Sequence, residues 1–542
     1  MFNIPIVFSK NLKNTDETLV NDLELVSAKT DMDSVYIHLF TPKTKYGKDT
    51  IHSIAKYYTT DKNYLKETQK IYNLYKPVLN ESIIKKFNDS IDAIKQNVNF
   101  LKDYQFLDIK QLHFLNENEM FLQLFSVYNM ASPAVSLLYP IILFIIPFFL
   151  LKLKFKDLPL DTYKNLLYKQ LSESSFAKLR FVVNDEVDAF KKLYICVTVG
   201  LYIYGIYQNI NSCIKFISNI KVIKQTFDNC KEYFNYILTE CKLLKTSCKS
   251  IKAYEPFVKT FESHIENIES MNKNMSNLTI TLKNPTSIGS SLLILHTLRF
   301  NKTLNETFEF MNGFVGYIDT YLGLTNHIKD KDIHKVEYTN KTSKFKNICH
   351  PLVKSEKKIY NNINLDKNII LSGPNASGKT TLIKGLCINI LLSQQVGYGY
   401  FKAGKLHPYD NINSYLNIGD NNDRDSLFQA EARRCKLILD EMKLNKDERH
   451  FCVFDELYSG TNPEDAVKAG TMYLKYISKL NCKFVITTHY KELCNKMEDN
   501  KFFTNKQMEE YKLKDGISNN TNGITILQDL NYPKELLDLD VV

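Results

Sequence analysis

The sequence predicts a chain in two parts, a mostly α-helical region over residues 1–335 and an α/β domain over residues 336–542. Three observations carry that expectation. Glycine (18) and proline (14) are scarce in 542 residues, so tight turns are few and elements long. Over about 60–130 and 205–330, apolar residues recur every three or four positions among lysines and asparagines, the pattern of amphipathic helices. From about residue 340 the texture changes to short apolar runs beside glycine-containing turns, as where strands alternate with helices.

Composition narrows the class. With 44% hydrophobic and 24% charged residues the chain is globular, which excludes collagen-like repetition, wholesale disorder and a small disulfide scaffold. The formal net charge is +10, but only six of the 70 basic residues are arginine. A lysine field suits diffuse attraction to phosphate backbones or anionic lipid heads better than bidentate base reading. A general bias toward lysine, asparagine and isoleucine explains the same excess. The eleven cysteines contain no Cys-x-x-Cys and read as reduced thiols. The N-terminus has neither a basic segment followed by an apolar core nor a cleavage pattern, so no secretory signal is expected and the setting is read as cytoplasmic.

In the helical region, Ile217, Ile220, Ile223 and Phe227 fall on one helical face, as do Ile265, Ile268 and Met271. These are core stripes. Two stretches differ. Pro133 to Leu151 has 19 residues without a charge, about 28 Å as a helix and close to a bilayer's hydrocarbon thickness, and it ends on Lys152, Lys154 and Lys156. Leu193 to Tyr207 continues through Gln208 and Asn209 into Ile210. Together, over about 133–210, they read either as a transmembrane hairpin or as a buried helical pair. Pro140 and Pro147 are expected to interrupt the first helix, and the nine Lys/Arg between Lys152 and Lys192 oppose the positive-inside rule if the rest of the chain is cytoplasmic.

The α/β part carries the chemistry. Gly373-Pro374-Asn375-Ala376-Ser377-Gly378-Lys379-Thr380 satisfies G-x-x-x-x-G-K-[ST], with an apolar strand (Ile369 to Leu371) before it and a helix-compatible run after it. The glycines let backbone N–H groups wrap phosphates, Lys379 reaches the β- and γ-phosphates, and Thr380 offers a hydroxyl to Mg²⁺. The run Phe451 to Phe454 ends in Asp455 and Glu456, a metal ligand and a carboxylate for an attacking water. Lys483 to Thr488 ends at His489, placed to sense the γ-phosphate. P-loop, acidic pair and histidine, in that order, indicate an ABC-type ATPase.

These segments resemble the ATPase domain of the DNA mismatch repair MutS family. Gly373 to Thr381 looks like its Walker A, Gln394-Gln395-Val396-Gly397 like its Q-loop region, and Ile418 to Asp420 with Ser426 to Glu431 like its signature. Asp455 to Thr461 and Thr487 to Leu493 are similar to its Walker B with D-loop and its histidine switch. His350-Pro351, Gly523-Ile524 and Tyr532-Pro533 match lesser landmarks, for a coverage of roughly 345–537. No LSGGQ is present, against a transporter-type relative. More faintly, Thr41 to Gly47 looks like the opening of the MutS core domain and Phe314 to Tyr321 like its close, with the apolar hairpin where the family has lever helices and a DNA clamp. Neither the length before Thr41 nor a Phe-x-Glu matches the family's mismatch-reading part.

The resemblance implies a dimeric nucleotide sandwich hydrolysing ATP with Mg²⁺. In it Gly373, Pro374, Asn375, Ala376, Ser377, Gly378, Lys379, Thr380 and Thr381 would hold the nucleotide, Thr380 and Asp455 the metal, and Glu456 and His489 would be catalytic. Ser426, at the start of a helix over Glu431–Leu439, would reach the partner's site. Arg424, Arg433, Arg434 and Arg449 cluster nearby, available for transition-state or dimer contacts. The implied partners are double-stranded or branched DNA and a second or related subunit, in repair or recombination; the alternative is a membrane-anchored relative of the same motor. A structural ATPase with long coiled coils is a weaker match, because the arms here are short.

Overall fold

A computed structural model describes residues 2–28, 33–154, 159–173, 189–278, 287–416 and 427–518. By their contacts they fall into two compact units, Met1–Leu79 with Thr239–Ile265 and Phe308–Val542, and Asn80–Leu238 with Glu266–Thr307. The expected division at 335/336 followed the change in sequence texture. The contacts cut the chain differently, because N-terminal segments pack on the α/β domain.

The second unit is helical. Its most prominent elements are α1 (Glu119–Lys154) and the first part of α2 (Ala189–Ser247). Its core is aromatic and aliphatic: Phe87 stacks on Tyr233 with ring centroids 3.9 Å apart, and the Arg299 guanidinium lies 4.6 Å from the centre of the Phe100 ring. The stripe read from sequence is buried at Ile220, Ile223 and Phe227. Contrary to expectation, α1 is unbroken through Pro133, Pro140 and Pro147. A spacing of seven puts these prolines on one face, so the missing N–H groups gather on one side of the helix rather than breaking it at several. Among the described residues, two helices are long and apolar enough to cross a membrane, Glu119–Leu138 and Lys192–Ser247.

In the first unit, helix Lys302–Lys329 crosses helix Lys45–Ala55 closely. A Cβ at Gly316 would lie 2.3 Å from the Tyr46 carbonyl oxygen, so only glycine fits there. Asp319, buried, accepts from the backbone N–H groups of Lys43 and Thr44 at 3.0 and 2.7 Å and so closes the turn before the second helix. The stretches 41–47 and 314–321, far apart in sequence, thus meet. Tyr321 adds two bonds, donating to the carbonyls of Ile71 (2.8 Å) and Tyr75 (2.9 Å).

The α/β part is built on a six-stranded sheet of β1 (Asn368–Ser372), β2 (Asn411–Tyr415), β3 (His450–Asp455), β4 (Cys482–Thr488), β5 (Phe503–Glu509) and β6 (Lys512–Asp515). The order is β6-β5-β1-β4-β3-β2, parallel throughout except for β6. Continuous apolar runs such as Phe451 to Phe454 and Phe484 to Ile486 are fully buried, as required of parallel strands covered on both faces. Helix α3 (Lys379–Gln395) follows β1, and α4 (Leu427–Leu444) precedes β3. A separate five-stranded sheet is formed within residues 334–406. The carboxyl ends of β1, β4 and β3 are neighbours, and there the motif residues converge.

Candidate functional site

The turn from β1 into α3 has the geometry its glycines permit. Gly378, at φ +93°, caps α3, and a Cβ there would lie 2.8 Å from the Tyr511 ring. No side chain caps the helix start, which leaves its first N–H groups facing the loop, a favourable anion site. Ala376 holds φ +62°, uncommon for a residue with a Cβ, and Ser377 Oγ is buried without a hydrogen-bond partner. Lys379 is 5% exposed; its Nζ donates to the carbonyls of Gly373 and Pro374, both at 2.9 Å, and lies 3.7 Å from Glu456 Oε1. Burial pushes its pKa below the usual lysine value, with Glu456 and Asp455 opposing.

From β3 comes the acidic pair. Asp455 Oδ2 accepts from Thr380 Oγ1 at 2.8 Å, and its other oxygen accepts from Thr487 of β4. Glu456 sits at φ +49°, held there by its own N–H, which donates to the Thr487 carbonyl (3.2 Å) and hydroxyl (3.1 Å). Its Oε2 is 3.6 Å from Nδ1 of His489. The imidazole, with Lys379 beside it, holds the Glu456 carboxyl below the usual carboxylate range against the opposing effect of burial. One carboxylate and one hydroxyl are hard oxygen donors, which fits Mg²⁺ completed by phosphate and water rather than an all-protein cage. Among the described residues no cluster of three His, Cys, Asp or Glu forms such a cage.

Beyond the P-loop lies a cavity of about 590 Å³ whose lining includes His350, Lys357, Thr381, Leu382, Met508 and Tyr511. Tyr511 is placed by a strained hairpin turn: Glu510 and Tyr511 have φ +46° and +60°, and Asn361 Nδ2 donates to the Tyr511 carbonyl at 3.1 Å. His350 is driven by burial to a pKa of about 4 and is neutral at physiological pH. No motif marks Met508 or Tyr511 in the sequence; a β-turn of non-glycine residues after the last parallel strand was the available signal, and it is weak.

The motif positions from Gly373 to Thr381, with Asp455, Glu456 and His489, are therefore brought together. Others are not. Gln394 and Gln395 are at the far end of α3, about 24 Å from Lys379, and their amides are consumed in structural bonds. Gln394 bonds both the N–H and the carbonyl of Tyr409 at 2.8 Å, and Gln395 Nε2 donates to Ile54 (3.0 Å) and Tyr57 (2.9 Å) carbonyls. Arg449 donates to the carbonyls of His407 and Pro408 and covers Tyr409, and Arg434 donates to that of Ser414. Both stabilise the domain's own folding. Ser426, Arg424, Ile418 to Asp420, Gly523, Ile524, Tyr532 and Pro533 lie outside the described residues, and the helix expected from Glu431 begins at Leu427. Sequence reasoning missed the role of Glu431: buried, it accepts from Ser459 N (3.0 Å), Ser459 Oγ (2.9 Å) and Gly460 N (3.1 Å), fixing the loop that follows Glu456.

Residues 369–539 match the family model described as MutS domain V. Among curated proteins the chain is 26% identical over 249 residues to "Endonuclease MutS2" of Caldicellulosiruptor saccharolyticus, covering 43% of this chain and 31% of that one. It is 29% identical over 230 residues to "DNA mismatch repair protein MutS" of Persephonella marina, covering 39% and 26%. The chain thus spans less than a third of the length of these relatives. Residues 369–539, built around the P-loop and the acidic pair, are thus similar to domain V of the MutS family, the ATPase domain of that family.

Proposed function

We propose that residues 336–542 bind and hydrolyse ATP with Mg²⁺, and that the resulting conformational change acts on double-stranded or branched DNA. The observation that carries this is the convergence of Lys379, Thr380, Asp455, Glu456 and His489 at the carboxyl ends of three neighbouring parallel strands. The N–H groups at the start of α3 and Lys379 hold the phosphates. Thr380 and Asp455, already 2.8 Å apart, hold Mg²⁺, which when bound neutralises charge on the phosphate oxygens. Glu456, kept ionised, orients and polarises the attacking water. His489, next to it, faces the γ-phosphate side. The purine lies in the 590 Å³ cavity against Tyr511 and neutral His350. By the family resemblance, two such domains sandwich nucleotide, with Ser426 offered across the dimer.

The relatives named for mismatch repair and endonuclease activity, together with the net charge of +10, support DNA as the polymer acted on. The test is nucleotide binding and turnover with and without duplex and branched DNA across a salt series. Lys379→Ala should abolish nucleotide binding. Glu456→Gln should retain binding and lose turnover by about 10²–10⁴-fold. Normal turnover in Glu456→Gln would remove the assigned base, and a DNA-independent, salt-independent ATPase would remove DNA as the substrate.

A further inference from the structure

The paired helices of the second unit carry an uncharged surface that the nucleotide site does not use. Tyr202 Oη donates to the Ser136 carbonyl at 2.8 Å, Asn209 donates to Ser136 Oγ, and Cys213 Sγ approaches the Met130 carbonyl at 3.7 Å. These contacts set α1 and α2 antiparallel, in a register that brings residue 151 level with about residue 191. The two apolar runs therefore lie side by side. Residues 133–151 have no charge and neither do residues 193–214. One end of the pair carries the lysines at 152, 154, 191 and 192, and the other reaches Lys215.

We propose that this hairpin, residues 133–151 with 191–214, is inserted in a lipid bilayer. The length fits: 19 residues of helix span about 28 Å, a hydrocarbon thickness. The exposure fits as well. Leu138, Ile146, Leu193, Leu201 and Ile203 are between 49% and 66% exposed, and with Tyr207 the exposed apolar positions of α2 spread over half its circumference. A protein partner would need one stripe with charged flanks. A broad apolar outer face with most polar groups bonded within the hairpin is what lipid requires. Here Tyr202, Asn209 and Cys213 bond across to α1, Thr198 bonds back to the Tyr194 carbonyl at 2.8 Å, and the exposed Gln208 donates to the Tyr204 hydroxyl at 2.6 Å; the other exposed polar side chains, Asn211 and Ser212, fall at the Lys215 end of the run, at headgroup level. Tyr194 and Tyr207 sit towards opposite ends of the run, and the lysine cluster lies at headgroup level. A DNA backbone would meet no cation over this length, so this part of the chain is not a clamp on phosphate.

The chain has no tryptophan, so one introduced residue reports only its own surroundings. The full chain carrying Leu201→Trp, and separately Tyr194→Trp, is mixed with phosphatidylcholine/phosphatidylglycerol vesicles and floated in 1 M salt, which removes purely electrostatic adhesion. Salt-resistant flotation is expected. The indole of Leu201→Trp should be quenched most by lipids brominated deep in the acyl chain, and that of Tyr194→Trp by lipids brominated near the headgroup. Leu201→Lys should lower the vesicle partition coefficient, read from lipid titration, about a hundredfold while nucleotide binding persists. The proposal is overturned if the tryptophan variants stay unbound or unquenched. It is also overturned if the indole of Leu201→Trp becomes buried without bromolipid quenching, on self-association or on adding duplex DNA, since a second copy or DNA then covers the surface.

Discussion

Replacing Glu431 by alanine tests whether the loop after the acidic pair is held from α4. The carboxylate is 2% exposed and takes three hydrogen bonds, from Ser459 N, Ser459 Oγ and Gly460 N. Bonds to a charged group contribute about 1.5–3 kcal/mol each, but the carboxylate's desolvation offsets part of that, and the three are not additive. Truncation also leaves three donors without this acceptor, of which the exposed Ser459 can turn its hydroxyl to water, and the loop has little room to repack because a Cβ at Gly460 would already lie 2.7 Å from Leu427. A net loss of about 3 kcal/mol follows. Glu431→Gln keeps one acceptor oxygen and should lose about half as much. Urea denaturation measures the stability, and ATP turnover on the same samples measures the consequence. Because the loop continues directly from Glu456, kcat should fall more than nucleotide affinity. A Glu431→Ala protein within about 0.5 kcal/mol of the parent, with unchanged kcat, would refute the idea that this carboxylate fixes the loop.

Two further outcomes follow from the cavity. Tyr511→Gly removes a left-handed residue with a Cβ and a ring from the cavity wall at once, so stability should hold or rise by about 1 kcal/mol while ATP affinity falls roughly 5- to 100-fold, read by calorimetry and denaturation; unchanged affinity would move the purine elsewhere. His350, whose folded-state pKa is about 4, stays neutral while the unfolded chain takes up a proton near 6.5, so its contribution is complete above about pH 6.5 and is lost as pH falls toward 4. Denaturation midpoints between pH 4 and 7 should therefore slope upward more steeply in the parent than in His350→Gln, and parallel slopes would contradict the assignment.

Much of the site was legible because its chemistry is local. Gly373 to Thr381 is one turn and one helix start, so eight or nine consecutive residues specify both the backbone path and the N–H, amine and hydroxyl groups it presents, and the apolar runs before Gly373, Asp455 and His489 announce buried parallel strands. Gln394 and Gln395 illustrate the limit. Their spelling matches a nucleotide-contacting loop, but the contacts of a side chain depend on where its helix ends and what packs there, and here Ile54, Tyr57 and Tyr409 take the amides. The prolines of α1 misled for a related reason: each weakens the helix locally, and their common face keeps the damage to one side.

The sequence by itself determined that this is a lysine-rich chain with a P-loop domain of MutS type behind a helical region, because motifs and periodicities are encoded within a few turns of chain. Tertiary structure decided the rest. It brought Met1–Leu79 and Thr239–Ile265 into the same unit as the sheet, set Glu431 under the loop after Glu456, and swung Tyr511 over Gly378. It also set the register of the two apolar runs that the sequence had paired, and left their outer positions exposed rather than buried. Those decisions rest on pairings between distant residues, whose free energy comes from burial and hydrogen bonding across the fold and leaves no mark on any single stretch of sequence.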